Sequence, residues 1–252
     1  MRFASLGSGS GGNGLVVEAG GTRVLMDCGF GLADSVTRLA RLGLQATDLA
    51  GIVVTHEHSD HIGGVGRLAR RHGLPVWLTA GTLAMAQDLD GVAVQVIDSH
   101  AAFAVDELEI QPFPVPHDAR EPVQYVFGDG DRRLGVLTDT GSDTPHIEAM
   151  LAGVDALVLE CNHDAAMLEN GPYPTSLKRR VGGRFGHLEN GQSAALLDRL
   201  KHAKLQCVMA AHVSRKNNTA ALAQRALAQV LNCADDEVRV ACQTTGFDWI
   251  RI

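Results

Sequence analysis

No apolar run in this 252-residue chain approaches the roughly 20 residues that cross a bilayer, which excludes an α-helical membrane span. The start, Met1-Arg2-Phe3 and then a Gly/Ser run, lacks the charged, apolar and small-residue zones of a secretory signal, so a cytoplasmic location is expected. Cysteine is sparse. Cys28, Cys161, Cys207, Cys233 and Cys242 are scattered with no C-x-x-C pair, a pattern that in a reducing compartment reads as buried free thiols. Positive charge is in deficit, 22 Lys and Arg against 29 Asp and Glu, and the resulting −7 excludes a generally basic surface that coats nucleic acid. A local positive patch remains compatible with it. No low-complexity linker, long charge run or Pro-rich stretch divides the chain, and with 45 % hydrophobic residues it is expected to form one domain, 1–252.

What is present is a faint internal repeat. An apolar strand, a Gly turn and a second strand ending in Asp occur at Leu15-Val16-Val17, Gly20-Gly21 and Val24–Gly29. The layout recurs at Tyr125-Val126-Phe127, Gly128-Asp129-Gly130 and Val136–Gly141. Each hairpin precedes an expected helix, Leu32–Leu42 or Pro145–Leu151, and then an apolar strand, Ile52–Thr55 or Ala156–Leu159. Strands apolar throughout are buried on both faces, which calls for helices outside. Two such halves pressed sheet to sheet predict an α/β fold, a four-layer αββα sandwich whose polar strand ends share one edge. Further helices are expected at Val65–His72, Thr82–Leu89, Ser193–Ala203 and Ala220–Leu231, and strands at Val76–Leu78, Leu108–Val115, Val208–Ala210 and Val238–Ala241.

The strand Ile52–Thr55 runs into His56-Glu57-His58-Ser59-Asp60-His61. In a tight turn leaving a strand, His56 and His58 can converge on one metal while Asp60 and His61 face a neighbouring one. Imidazole with carboxylate suits zinc, iron or manganese. One turn cannot complete two sites, and the remaining ligands are expected from other strand ends: His117, Asp139 and His212. A carboxylate such as Asp139 can bridge two cations and hold their shared water as hydroxide near neutral pH. Glu160, ending its own strand, and His187, just before a helix, are candidates for a carboxylate-oriented histidine acting as general acid. Gly7-x-Gly9-x-x-Gly12 formally matches a dinucleotide fingerprint, but a hairpin rather than a helix follows it, so no nicotinamide or flavin site is expected. Lys178, Arg179, Arg180 and Arg184, between Glu160 and His187, could grip a phosphate chain.

In order and spacing, His56 to His61, His117, Asp139 and His212 resemble the metal motifs of the metallo-β-lactamase superfamily. The resemblance implies a hydrolase with two divalent metal ions, the first on His56, His58, His117 and Asp139, the second on Asp60, His61, Asp139 and His212. Asp27, in Asp27-Cys28-Gly29, matches a position that supports the metal loop without binding metal. The Glu160 and His187 pair is similar to the dyad of the transfer-RNA processing and cyclic phosphodiesterase branches. Ser8–Asn13, Glu160–Asp164, Gly171–Pro174, Gly186–Leu188 and His212–Thr219 together resemble the YycJ/WalJ-type branch, associated with 5′-to-3′ exonuclease activity on double-stranded DNA. Cys161 and Glu189 depart from its pattern, each standing where a serine is expected. What the resemblance implies is a phosphodiesterase or DNA exonuclease with Asp60, Glu160 and His187 as catalytic residues and Ser8, Asn13, His163, Ser214 and Asn217 as substrate contacts. The runner-up is a small-molecule hydrolase acting on a thioester, lactone or cyclic phosphodiester.

Overall fold

The computed structural model describes residues 1–252. Its strands are β1 (Arg2–Gly7), β2 (Gly14–Ala19), β3 (Thr22–Met26), β4 (Gly51–Val53), β5 (Val76–Thr79), β6 (Val94–Ile97), β7 (Phe103–Val105), β8 (Leu108–Pro114), β9 (Val123–Gly128), β10 (Arg133–Leu137), β11 (Ala156–Glu160), β12 (Cys207–Ala211), β13 (Arg239–Val240) and β14 (Phe247–Arg251). The helices are α1 (Leu32–Arg41), α2 (Ser59–Ile62), α3 (Val65–His72), α4 (Ala80–Met85), α5 (Pro145–Leu151), α6 (Ala165–Asn170), α7 (Thr175–Val181), α8 (Asn190–Leu200) and α9 (Ala220–Leu231).

Two seven-stranded sheets form, in the orders β14-β1-β2-β3-β4-β5-β6 and β13-β12-β11-β10-β9-β8-β7. The repeat read from the sequence is visible in the pairing. The hairpin β2–β3 is antiparallel and β4 then β5 add in parallel. The hairpin β9–β10 is likewise antiparallel, and β11 then β12 add in parallel. The apolar strands β4 and β11 lie inside their sheets and are buried throughout.

Three hydrophobic clusters define the layers. One joins the inner faces of both sheets, with Phe3, Val17, Val53, Ile110, Tyr125, Phe127, Val158 and Met209 among its members. The second packs α5, α8 and α9 on the outer face of one sheet, and the third packs α1 and α3 on the other. This is the four-layer sandwich.

Several boundaries differ from expectation for local reasons. Helix α4 starts early because the Thr79 hydroxyl accepts the Thr82 N–H, and it stops at Met85 rather than Leu89. Helix α8 starts at Asn190, not Ser193, because Glu189 and Gln192 form a reciprocal capping box. Strand β13 is only Arg239–Val240, and of the five cysteines expected to be buried only Cys28 and Cys161 are, since Cys207 opens its strand and Cys233 and Cys242 lie in the loops on either side of β13. Strands β1, β6, β7 and β14 and helices α6 and α7 add to the plan expected from the sequence. The Gly7–Gly12 run turns between β1 and β2, both strands, as the rejection of a dinucleotide site requires.

Candidate metal centre

The ends of β3, β4, β10, β11 and β12 meet at one edge of the sandwich, each carrying a functional side chain at its end or just beyond it. Asp27, Asp139 and His212 leave their strands with φ of 60°, 51° and 51°. That left-handed conformation costs a non-glycine residue energy, and its occurrence at three chemistry-bearing strand ends marks backbone held for the site. The metal loop leaves β4 through Thr55 and enters the single turn α2, where the His61 N–H donates to the His58 carbonyl at 2.9 Å. Gly29 and Gly64 let the loop pack backbone against backbone: a Cβ on Gly29 would collide with the Asp60 carbonyl oxygen, and one on Gly64 with that of Phe30.

The seven sequence-predicted ligands come together. His56, His58 and His117 form one group, with His56 Nε2 and His117 Nε2 at 3.1 and 3.2 Å from His58 Nδ1. Asp60, His61 and His212 form another, with Asp60 Oδ2 3.5 Å from His61 Nε2 and 3.7 Å from His212 Nε2. Asp139 lies between them. Its Oδ1 is 4.0 Å from His117 Nε2, and its Oδ2 is 3.2 Å from His61 Nε2 and 2.9 Å from His212 Nδ1.

Hydrogen bonds behind the ligands decide which nitrogen faces the centre. The Thr55 hydroxyl gives its proton to Asp27 Oδ2 at 2.9 Å, so His56 Nδ1–H must donate to Thr55 Oγ1, also at 2.9 Å. His117 Nδ1–H donates to the Gly186 carbonyl at 3.0 Å. The inner Nε2 atoms of His56 and His117 are therefore bare lone pairs aimed at His58, whose Nδ1 can supply at most one proton. Such a convergence of lone pairs fits a cation. Asp27 also accepts from His61 Nδ1 at 2.8 Å and from the Thr55 N–H at 2.8 Å, which saturates its carboxylate and makes it an orienting group.

Charge agrees with this donor set. Burial and the neighbouring His61 push His56 well below its ordinary value, and burial lowers His117, so both are neutral donors. Burial alone would raise Asp139, but His212 and His61 hold its carboxyl well below the usual range. Burial likewise opposes the protonation of His61, yet Asp139 and Asp27 raise it well above normal, so the carboxylates around it favour positive charge at this point.

Glu160 and His187 adjoin the centre. His187 Nδ1–H donates to Glu160 Oε1 at 2.8 Å and lies 3.6 Å from Asp139 Oδ1. Asp139, Glu160, His187 and His212 are close enough to count as a further ligand group. Glu160, however, is fully buried, and its other oxygen accepts the N–H groups of Thr140 and Leu188 at 3.1 and 3.2 Å. A carboxylate held by three donors is a support, not a free ligand.

The centre floors a cleft of about 390 Å³. Its walls include Ser10, Asp118, Tyr173, Leu177, Arg180 and Val181, none of them expected there from the sequence apart from Arg180 in the basic cluster. Asp118 gives no signal of its own in the polar loop beside His117; its Oδ2 accepts from Arg180 Nε at 2.5 Å. The five expected substrate contacts lie behind this lining, all buried. Ser8 Oγ accepts the His212 N–H, and Asn13 Nδ2 contacts the Asp60 carbonyl and His61 Nε2 at 3.2 and 3.1 Å. Ser214 Oγ caps the turn at Asn217, while His163 and Asn217 pack beneath the α6–α7 segment near Gly182 and Gly171.

A family model described as a beta-lactamase superfamily domain matches residues 22–209. The chain is 37 % identical over 242 residues to exodeoxyribonuclease YycJ of Bacillus anthracis, spanning 92 % of this chain and 89 % of that protein. It is 30 % identical over 241 residues to exodeoxyribonuclease WalJ of Streptococcus pneumoniae, with 93 % and 90 % covered. Zn²⁺-bound PqqB from Methylobacterium extorquens shares the fold with a TM-score of 0.76 at 19 % identity, over 100 % of both chains. The short form of human tRNase Z shares it with a TM-score of 0.68 at 16 % identity, over 100 % of this chain and 99 % of that one.

Proposed function

We propose that this chain, which belongs to the metallo-β-lactamase superfamily and within it to the YycJ/WalJ group, is a metal-dependent exodeoxyribonuclease that cleaves phosphodiesters with a histidine general acid. The observation that carries the reading is the Glu160–His187 pair on the wall of the metal cleft. A thioester releases a thiolate that needs little protonation, whereas a phosphodiester of DNA releases an alkoxide and needs an acid.

His187 suits that task. Burial works against its charge, but Glu160 beside it pushes the imidazole up to about 9, so it carries a proton at neutral pH. With Nδ1–H given to Glu160, its Nε2 has no partner in the protein and is free to donate toward the cleft. The first cation would be held by His56, His58, His117 and Asp139, the second by Asp60, His61, Asp139 and His212, with zinc, manganese or iron suited to the donors. When bound, such cations supply charge neutralisation for the phosphoryl oxygens and an acidified water. Asp27, Thr55 and the Gly186 carbonyl orient the imidazoles, Asn13 and Ser8 fix the loops behind Asp60 and His212, and Arg180, held by Asp118, presents a cation to the phosphate chain.

The test is a panel assay of the purified, metal-loaded protein on end-labelled duplex and single-stranded DNA, RNA, bis-(p-nitrophenyl) phosphate and a thioester. Stepwise loss of nucleotides from a DNA end is expected. Turnover of the thioester with intact DNA would overturn the reading.

A further inference from the structure

We propose that the cleft accepts one unpaired nucleotide whose base stacks on Tyr173, so a duplex end must fray before it is cut, a proposal that rests on the nuclease reading above. At about 390 Å³ the cleft belongs to the size class of small-ligand pockets. A duplex does not enter such a space, since its major groove alone is about 12 Å wide. What reaches the metal floor is therefore a separated strand end.

The walls say what kind of group lies beside the scissile phosphate. Tyr173, Leu177 and Val181 line the cleft at intervals of four, and Leu177 and Val181 lie on α7. Side chains spaced this way share one helix face. None of the three belongs to, or packs against, any hydrophobic core of the protein, and α7 has no buried residue at all. Core packing thus gives no reason for an apolar stripe here, opposite a floor of histidines and carboxylates. A ligand with a polar phosphate end and a flat apolar-faced end gives one, and a nucleotide is such a ligand.

Tyr173 is the platform. Pro172 and Pro174 flank it and restrict the backbone on both sides. Lys216 Nζ sits over the ring, 5.6 Å from its centroid, an arrangement that steadies the ring by cation–π attraction. Stacking on such a face is sequence-tolerant because every base has a π-face. Consistent with that, Ser10, Ser59 and Tyr173 are the only neutral hydrogen-bonding side chains in the lining apart from the histidines of the metal centre and the general acid, too few to read base edges.

The test uses the metal-loaded full chain, Tyr173→Ala and Tyr173→Phe on duplexes whose attacked end carries an ordinary nucleotide, a terminal mismatch or an abasic tetrahydrofuran residue. On ordinary ends Tyr173→Ala is expected to raise KM about 5- to 150-fold, the range that removal of one stack corresponds to, and Tyr173→Phe to restore it. On abasic ends the wild type should already show that loss, and Tyr173→Ala should add nothing. Mismatched ends should be cut at lower KM than paired ends, because the fraying cost is removed. Equal losses on ordinary and abasic ends, or no loss, overturn the stacking, and identical KM for paired and mismatched ends overturns the fraying. If Tyr173→Ala does not fold, judged by melting and metal content, the wild-type comparison of ordinary with abasic ends decides alone. A wild type that hydrolyses bis-(p-nitrophenyl) phosphate but no nucleic acid brings down the nuclease reading itself, an outcome distinct from DNA degradation that is indifferent to Tyr173.

Discussion

A hydrogen bond to Glu160 occupies one nitrogen of His187 and leaves the other to the cleft, so the two residues divide one task between positioning and proton transfer. With an alkoxide leaving group, His187→Ala should slow turnover about 10²- to 10⁴-fold while metal content stays intact. With p-nitrophenolate as the leaving group the same variant should be nearly unaffected, because that group departs without a proton. Glu160→Gln should follow His187→Ala in milder form, and Asp139→Ala should abolish both reactions by emptying the metal centre. Single-turnover assays with both substrates, alongside elemental analysis, separate these outcomes. Equal damage on both substrates, or loss of metal from His187→Ala, would make this histidine a ligand.

At the scale of the element, helix α7 is where sequence and structure diverge most. The apolar runs of β4 and β11, the polar residues at their ends and the repeated hairpins were legible because burial on both faces leaves an unbroken apolar signature. Strands β1 and β14 were not: they pair with each other from opposite ends of the chain, a partnership no local pattern encodes. Helix α7 buries nothing, so it lacked the periodic core signal that marks α1 or α3, and the cleft role of Tyr173 and Leu177 was invisible with it. Its basic residues were legible but not their differing roles. Lys178 Nζ donates to the Glu169 carbonyl at 2.6 Å and Arg180 is tied to Asp118 inside the cleft, while Arg179 and Arg184 are exposed. Neutralising Lys178, Arg179, Arg180 and Arg184 together should weaken DNA binding, and each phosphate deprived of its cationic partner should take about 0.9 off the slope of log K against log salt on duplex DNA. Titration by fluorescence anisotropy at several salt concentrations measures both. Unchanged affinity and slope would take α7 out of the DNA-binding surface.

Across the whole molecule, polar groups join the two halves of the repeat at several points, such as Thr22 with Glu107 and Met1 with Asp129, and the metal centre gathers the largest set of them. His56, His58, Asp60 and His61 come from the first half, and His117, Asp139 and His212 follow strands of the second sheet. His56 and His117 aim neutral imidazole lone pairs at His58, and Asp139 sets a buried negative charge between the two ligand groups. Cations bind the folded arrangement and not the unfolded chain, so they should raise stability by mass action, about 4 kcal/mol at a free concentration 1,000-fold above Kd. For a chain of this length 1 kcal/mol moves the melting temperature by about 2–4 °C, so one tightly held cation corresponds to roughly 8–16 °C. Calorimetry of the protein saturated with Mn²⁺ or Zn²⁺ should show that rise over the chelated protein, and elemental analysis should find two cations per chain. Asp139→Ala, which removes the carboxylate between the two ligand groups, should lose both the metals and most of the rise. A stoichiometry that stops at one cation, or a melting temperature indifferent to chelation, would mean that the strand ends are held together by their own hydrogen bonds and that the two-cation assignment is wrong.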